Sequence, residues 1–273
     1  MSGAVSATRA AAPAAGRAST LALVHADWRR MRGTWLLPLT VLGPLGVTLL
    51  GVVLFLLRGE YMVGSFISGE KTGWQVVIDQ IDMVHVFAIA LGAALIASMI
   101  VDVEHRSDTW KQMFGLPVSR ARSYAVKFAW GAGLLAVSSA LMAVGYAGIM
   151  VWQDLGPLPW GNLARVAWMP WVAVLPLFAL QLLLSALMKN QALPLAVGII
   201  APMFGMVMSE IPAWLPWRLV SEAMTVAVGG AGAVGPGETL SGLSPTQIAA
   251  ASGAWVLVFV TVGAVVLARR EIR

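Results

Sequence analysis

The chain has 273 residues, 59% of them hydrophobic and 11% charged, with a net charge of +5. A soluble domain is about one-quarter charged, and so apolar a chain of this length could not shelter its surface from water. The composition excludes an ordinary soluble enzyme or binding module and predicts an all-α integral membrane protein; the lack of cysteine also excludes disulfides and thiolate metal sites.

Residues 1–18 are rich in Ala, Ser and Gly, carry Arg9 and Arg17, and hold no acid. They read as a disordered cytosolic tail. A cleaved signal peptide fits poorly, because the Ala-rich part comes first and the apolar run behind it is long enough to cross a bilayer. Next, Leu21, Val24, Trp28, Met31 and Trp35 recur at 3-4-3-4 spacing, while Asp27, Arg29, Arg30 and Arg32 fall off that stripe. A helix with Trp on one side and Arg on the other is expected to lie in the membrane interface.

About 20 apolar residues cross a hydrocarbon core. Six such runs follow, at roughly 36–57, 83–101, 125–151, 166–188, 191–209 and 247–268, and residues 19–273 read as one transmembrane domain. The fourth and fifth runs are parted only by Lys189 and Asn190, with Pro194 just beyond, which predicts a tight turn. With the N-terminus in the cytoplasm, fourteen of the 18 Lys and Arg residues fall on the inner side. The positive-inside rule then predicts a multi-pass protein of the plasma membrane with both termini cytoplasmic.

Three segments face outward in that topology. Residues 58–82 contain the amphipathic stretch GWQVVIDQID, and 152–165 are short. Residues 210–246 are long: Pro212, Trp214, Pro216 and Trp217 begin them, the apolar stretch 219–228 follows, and a Gly-rich connection leads to the last span. Ten apolar residues are too few to span, so a re-entrant or interfacial helix is expected there.

Several chemistries can be tested against motifs. GAVGPGET at 232–239 has P-loop spacing, but Glu238 stands where the phosphate-neutralising lysine belongs, so no nucleotide hydrolysis is expected in this chain. The three histidines form no metalloprotease motif. An intramembrane serine protease would need Ser98 beside His85, yet they lie thirteen residues apart on one expected helix. A secondary transporter would want paired ionisable groups at midplane and inverted repeats, and neither is evident. Asp82 and His85 share a helix face at i, i+3. Two readings stay open for them, and for Glu210: polar elements of a substrate cavity or gate, or residues resting at the outer interface.

Residues 101–127, VDVEHRSDTWKQMFGLPVSRARSYAVK, gather eight charged side chains. At the bilayer centre each would cost roughly 3 kcal/mol, so 102–123 must leave the membrane. Ser107 or Asp108 can cap a short helix that puts Trp110, Met113 and Phe114 on one side, stopped by Gly115 and Pro117. An exposed Trp–Met–Phe face suits a groove on a partner, because aromatics and Met are enriched in interface cores. The alternative is that this face packs back on the bilayer.

This stretch resembles the first cytoplasmic loop of ABC-2-type permeases in Glu104, Thr109, Trp110, Lys111, Pro117, Val118, Ser119, Arg120 and Lys127. The plan of the chain is similar too, and RMRGTWLLPLTVLGPLG at 30–46 is similar to the subgroup of lantibiotic-immunity and bacitracin-export permeases. The Ala-rich first twenty residues depart from the family pattern. The resemblance implies an ATP-driven exporter of an amphiphilic substrate. Residues Glu104, Arg106, Thr109, Trp110, Lys111, Met113, Phe114, Pro117 and Arg120 would form the coupling loop, docking on a separate ATPase. It implies two ATPase copies, which bind ATP and Mg, a second permease subunit, identical or related, and membrane lipid as surroundings. No cofactor, catalytic residue or nucleic acid is expected for this chain. A permease of an ion-extrusion or metal-processing system is the alternative within the family. Asp82, His85, Glu210, Trp214 and Trp217 are the candidates for a cavity or gate.

Overall fold

The computed structural model describes residues 20–106, 120–188, 190–208, 210–228 and 242–269. Eight helices lie within them: α1 (Thr20–Met31), α2 (Leu36–Ile67), α3 (Gly73–Arg106), α4 (Arg120–Trp152), α5 (Trp160–Leu187), α6 (Ala192–Val207), α7 (Pro216–Ala227) and α8 (Pro245–Arg269). The expected tail 1–18, coupling-loop residues 107–119 and the Gly-rich connection 229–241 lie outside the described residues.

Five helices, α2, α3, α4, α5 and α8, are long and apolar enough to cross a membrane. The protein is therefore helical and multi-pass. Most helices outrun the expected spans. α2 continues past Arg58 to Ile67, and α3 absorbs the amphipathic stretch from Gly73 onward. A helix satisfies its own backbone on both sides of the hydrocarbon boundary, so charge alone does not end it. Between them Lys71 Nζ meets Asp79 Oδ2 at 2.7 Å. The bonded Asp79 carboxylate holds the Lys71 ammonium above the usual lysine range. On the lysine side, the stabilisation is present below the ordinary lysine pKa and is lost as pH rises through the raised one.

α1 stops where the sequence supplies a stop. Thr34 Oγ1 donates to Met31 O at 2.7 Å, and Gly33 follows the last turn. Trp35 consequently stands outside α1, at the position preceding α2, and is largely exposed. The five-residue stripe read from 21 to 35 is thus interrupted: Trp28 and Met31 pack inward while Leu21 is exposed.

Prolines inside α2 and α5 shape the bundle. A proline cannot donate to the carbonyl four residues back, and in lipid that carbonyl needs another partner. Pro44 frees Thr40 O, and Ser138 Oγ of α4 donates to it at 2.7 Å. Pro170 frees Val166 O, and the adjacent Ser139 Oγ donates to it at 3.3 Å. Two neighbouring serines on α4 therefore repair both neighbouring helices. Ser138→Ala should lower stability by about 1 kcal/mol, the scale of such bonds in membranes. Pro44→Ala restores the intrahelical donor, so in that background Ser138→Ala should cost almost nothing. Equal costs in both backgrounds, measured as unfolding midpoints in mixed micelles, would remove Ser138 from this role.

α5 is the most enclosed of the long helices; α2 and α8 are the most exposed. α4 approaches α5 closely at Gly131, where any Cβ would overlap the ring of the fully buried Phe178. α5 ends at Leu187 with its last carbonyls held by Gln191, whose Nε2 donates to Ser185 O at 3.3 Å and Met188 O at 3.2 Å. Asn190 Oδ1 accepts from Ala192 N at 2.9 Å, which starts α6.

The expected fifth span, 191–209, is only partly realised. α6 has 16 residues and an internal Pro202, and the chain turns extended at Met208. By helix rise it reaches about 24 Å, short of a roughly 30 Å hydrocarbon core. The expected short helix near 219–228 is α7, opened by Pro216 at its first turn. Leu219, Val220, Ala223, Met224 and Ala227 are buried, and α7 packs against α5, α6 and α8. Gly205 permits this approach, since a Cβ there would overlap the Trp217 carbonyl.

Candidate functional site

A cavity of about 330 Å³ lies between α2, α3 and α4, within the size range of small-ligand pockets. Its wall is apolar except for His85, Ser138 and Ser139. Both serine hydroxyls are engaged by the proline-freed carbonyls. His85 is 1% exposed, and its Nδ1 lies 2.8 Å from Tyr146 Oη on α4. Trp74 meets the Tyr146 ring edge-on with centroids 6.2 Å apart. These three residues form a buried aromatic knot near the end of the bundle where α3 begins.

His85 itself packs inside the bundle, beside the cavity. Asp82 behaves differently. It is half-buried, and its Oδ1 accepts from the next backbone amide, Met83 N, at 2.6 Å. The shared face of Asp82 and His85 thus brings no hydrogen bond between them. Glu210 is exposed in the connection before α7. Trp214 stacks on Trp255 of α8 at 6.2 Å, and Trp255 Nε1 donates to Trp214 O at 3.0 Å. Trp217 packs on the core.

At the other end of the bundle, α1 is fastened to α4. Trp28 stacks on Trp130 at 5.3 Å, and Asp27 Oδ2 lies 3.7 Å from Lys127 Nζ. Both charges are largely sheltered. α3 ends at Arg106 and α4 begins at Arg120, so the segment with the family-like motif leaves and rejoins the bundle beside this clamp. Thr109, Trp110, Lys111, Met113, Phe114 and Pro117 lie outside the described residues, as do the side chains of Glu104, Arg106 and Arg120.

Residues 25–205 match the family described as ABC-2 family transporter protein. The chain belongs to that family. No curated protein and no solved structure matches it. As an ABC-2 permease it is the membrane component of an ABC transporter, and the family implies an ABC ATPase as its partner. The matched region runs from α1 into α6 and takes in the cavity, the clamp and the charged loop.

Sequence reasoning missed Tyr146, Ser138, Ser139 and Gln191 in this permease. A signal for the serines was present: hydroxyl pairs in an apolar helix, together with prolines inside its neighbours, call for carbonyl repair. Tyr146 offered none, because its partner is 61 residues away in the chain.

Proposed function

We propose that this permease is the membrane half of an ATP-driven exporter. Two permease subunits, identical or related, enclose a pathway, and two ATPase subunits bind ATP and Mg below them. Closure of the ATPases pushes on 104–120 and alternates access to a central cleft. The substrate class is an amphiphile, such as a peptide antibiotic or a lipid-like molecule. The observation that carries the reading is the Glu104…Thr109-Trp110-Lys111…Pro117-Val118-Ser119-Arg120 pattern, which forms part of the one strongly charged inner loop of the proposed topology. The continuity of α4 supports transmission of the push. It starts at Arg120, clamps α1 through Lys127 and Trp130, and reaches α2 and α5 through Ser138 and Ser139.

The topology proposed has six spans with α6 as the fifth, both termini in the cytoplasm, and α7 as a re-entrant helix closing the outer side. The Lys/Arg asymmetry supports it. The chain is free of cysteine, so Gln112→Cys can be labelled without background. It should resist a membrane-impermeant maleimide on intact cells and react in inverted vesicles; labelling on intact cells would reverse the orientation. The function itself is tested by co-expressing the permease with its ATPase. The two should copurify, and the complex in vesicles should hydrolyse ATP faster when an amphiphilic substrate is added. A permease that transports without any ATPase would refute the reading.

A further inference from the structure

The clamp on α4 uses only one face of α1. Asp27 and Trp28 turn toward Lys127 and Trp130, and Met31 is buried. On the other side Arg29 and Arg30 of the last turn are exposed, and so is Arg32 just past it. Asp27 is the one acid in α1 and faces Lys127, so the outward charge is all basic. Among the described residues none of the three arginines forms an ion pair. Two large apolar side chains flank them: Leu21 is 80% exposed and Trp35 is 72% exposed.

Two spans show where the bilayer meets this face. α2 carries no charge from Leu36 to Leu57. That stretch rises about 33 Å, barely more than a hydrocarbon core of roughly 30 Å, so the core begins within a few ångströms of Trp35. On α4, Lys127 is the last charge before the uncharged run Phe128–Trp152, and α1 is fastened there. Both spans set α1 at the edge of the hydrocarbon, and its 12 residues are too few to cross. A tight turn, in which Thr34 N donates to Met31 O at 3.0 Å, keeps Arg32 near Trp35. The arginines therefore stand in the headgroup layer, roughly 5–7 Å deep on each side of the core.

We propose that Arg29, Arg30 and Arg32 bind the phosphates of anionic phospholipids in the leaflet beside α1, with Leu21 and Trp35 set among the adjoining acyl chains. A guanidinium offers a planar pair of donors that matches a phosphate, and each basic residue at an anionic surface favours binding about fivefold. An acidic surface on a protein partner could match the arginines, but the exposed flank continues from Trp35 into Val41 and Leu42 of the spanning α2. Phosphate beside hydrocarbon is the order of groups in a lipid. Cations in the last turn also suit the helix dipole, but that effect is the same in every lipid and predicts no preference among headgroups. The assignment names the leaflet that α1 borders, so it stands whichever way the chain is oriented.

The test uses the full chain in phosphatidylcholine vesicles. Because the chain has no cysteine, Ala26→Cys, exposed on α1, takes a fluorophore at one place. Ala250→Cys, exposed on α8, is the control at the opposite end of the bundle, since α8 meets Tyr124 of α4 near its other end, at Gly263. Trace phosphatidylglycerol or phosphatidylcholine, each with a nitroxide on one acyl chain close to the carbonyl, quenches a fluorophore at short range. At low salt, phosphatidylglycerol should quench the Ala26→Cys label at a lipid fraction about tenfold or more below that needed by phosphatidylcholine. Each single Arg→Gln change should reduce this preference about fivefold, and Arg29→Gln, Arg30→Gln and Arg32→Gln together should abolish it. The three Arg→Lys changes should keep most of it, and the Ala250→Cys label should show no preference throughout. Raising salt until the Debye length falls from about 30 Å to about 3 Å should erase most of the preference in the unmutated arginine face, which needs no variant to fold. Equal quenching by the two lipids at Ala26→Cys would overturn the proposal, as would a preference that survives both high salt and the triple Gln variant. Loss of lipid quenching when the ATPase is added would also overturn it, by assigning the face to that subunit.

Discussion

Arg218→Ala should lower the stability of the permease by about 3 kcal/mol or more, the scale for removing one partner of a buried ion pair. The Arg218 guanidinium donates from Nε to Glu222 Oε1 at 2.9 Å and from Nη1 to Ile211 O at 2.7 Å. It therefore ties the α6–α7 connection to α7. Glu222 is 6% exposed, and its Oε2 has no hydrogen-bond partner among the described residues. Removing the cation strands that carboxylate and frees a backbone carbonyl in the same place. Adding Glu222→Gln should recover part of the loss, because a neutral amide tolerates burial better than an unpaired charge. Arg218→Lys should fall between, since an ammonium cannot serve the carboxylate and the carbonyl with the same planar fork. Unfolding midpoints in detergent micelles measure all three. A wild-type midpoint for Arg218→Ala would show that solvent, not the arginine, compensates Glu222.

Trp110→Ala with Phe114→Ala should weaken the proposed ATPase complex about thirtyfold. Truncating a buried interfacial aromatic commonly costs about 2 kcal/mol or more, which is that factor in affinity. The double variant should fold and insert normally, copurify with little ATPase, and show no substrate-stimulated hydrolysis. Glu104→Gln should differ: the expected role of Glu104 is to hold the loop's angle by charge pairing, so the complex should assemble and cycle slowly. Binding and coupling at wild-type strength in the double aromatic variant would reduce the loop to a charged tether.

Membrane class, helix α1 and the break after the fourth long apolar run were legible because their signals are local. Charge depletion over 20 residues, a 3-4-3-4 stripe and a Lys-Asn break with a proline just beyond each act on the segment that carries them. The family was legible for the same reason, from a local pattern at 104–127. The ends of the helices were less so. Residues 73–82 carry charge and read as a connection, yet they form the first turns of α3 and supply Trp74, whose Nε1 donates to Val228 O at 3.1 Å. Reading 21–35 as one stripe overlooked the stop at Gly33 and Thr34, which is local but weaker than the periodicity running across it.

By itself, then, the sequence determined that the chain is a multi-pass helical membrane protein and which family it belongs to. Tertiary structure alone decided what the polar residues inside the bundle do. The i, i+3 spacing of Asp82 and His85 suggested a pair, but Asp82 turns to the backbone of Met83, and His85 finds Tyr146 on another helix. Ser138 and Ser139 look alike in the sequence and serve α2 and α5 respectively. In lipid the hydrophobic effect does not choose between apolar helix faces, so helix packing is settled by close approach at small residues and by hydrogen bonds between distant segments. Neither names its partner within one segment, and both set the cavity, the clamp on α1 and the burial of α7.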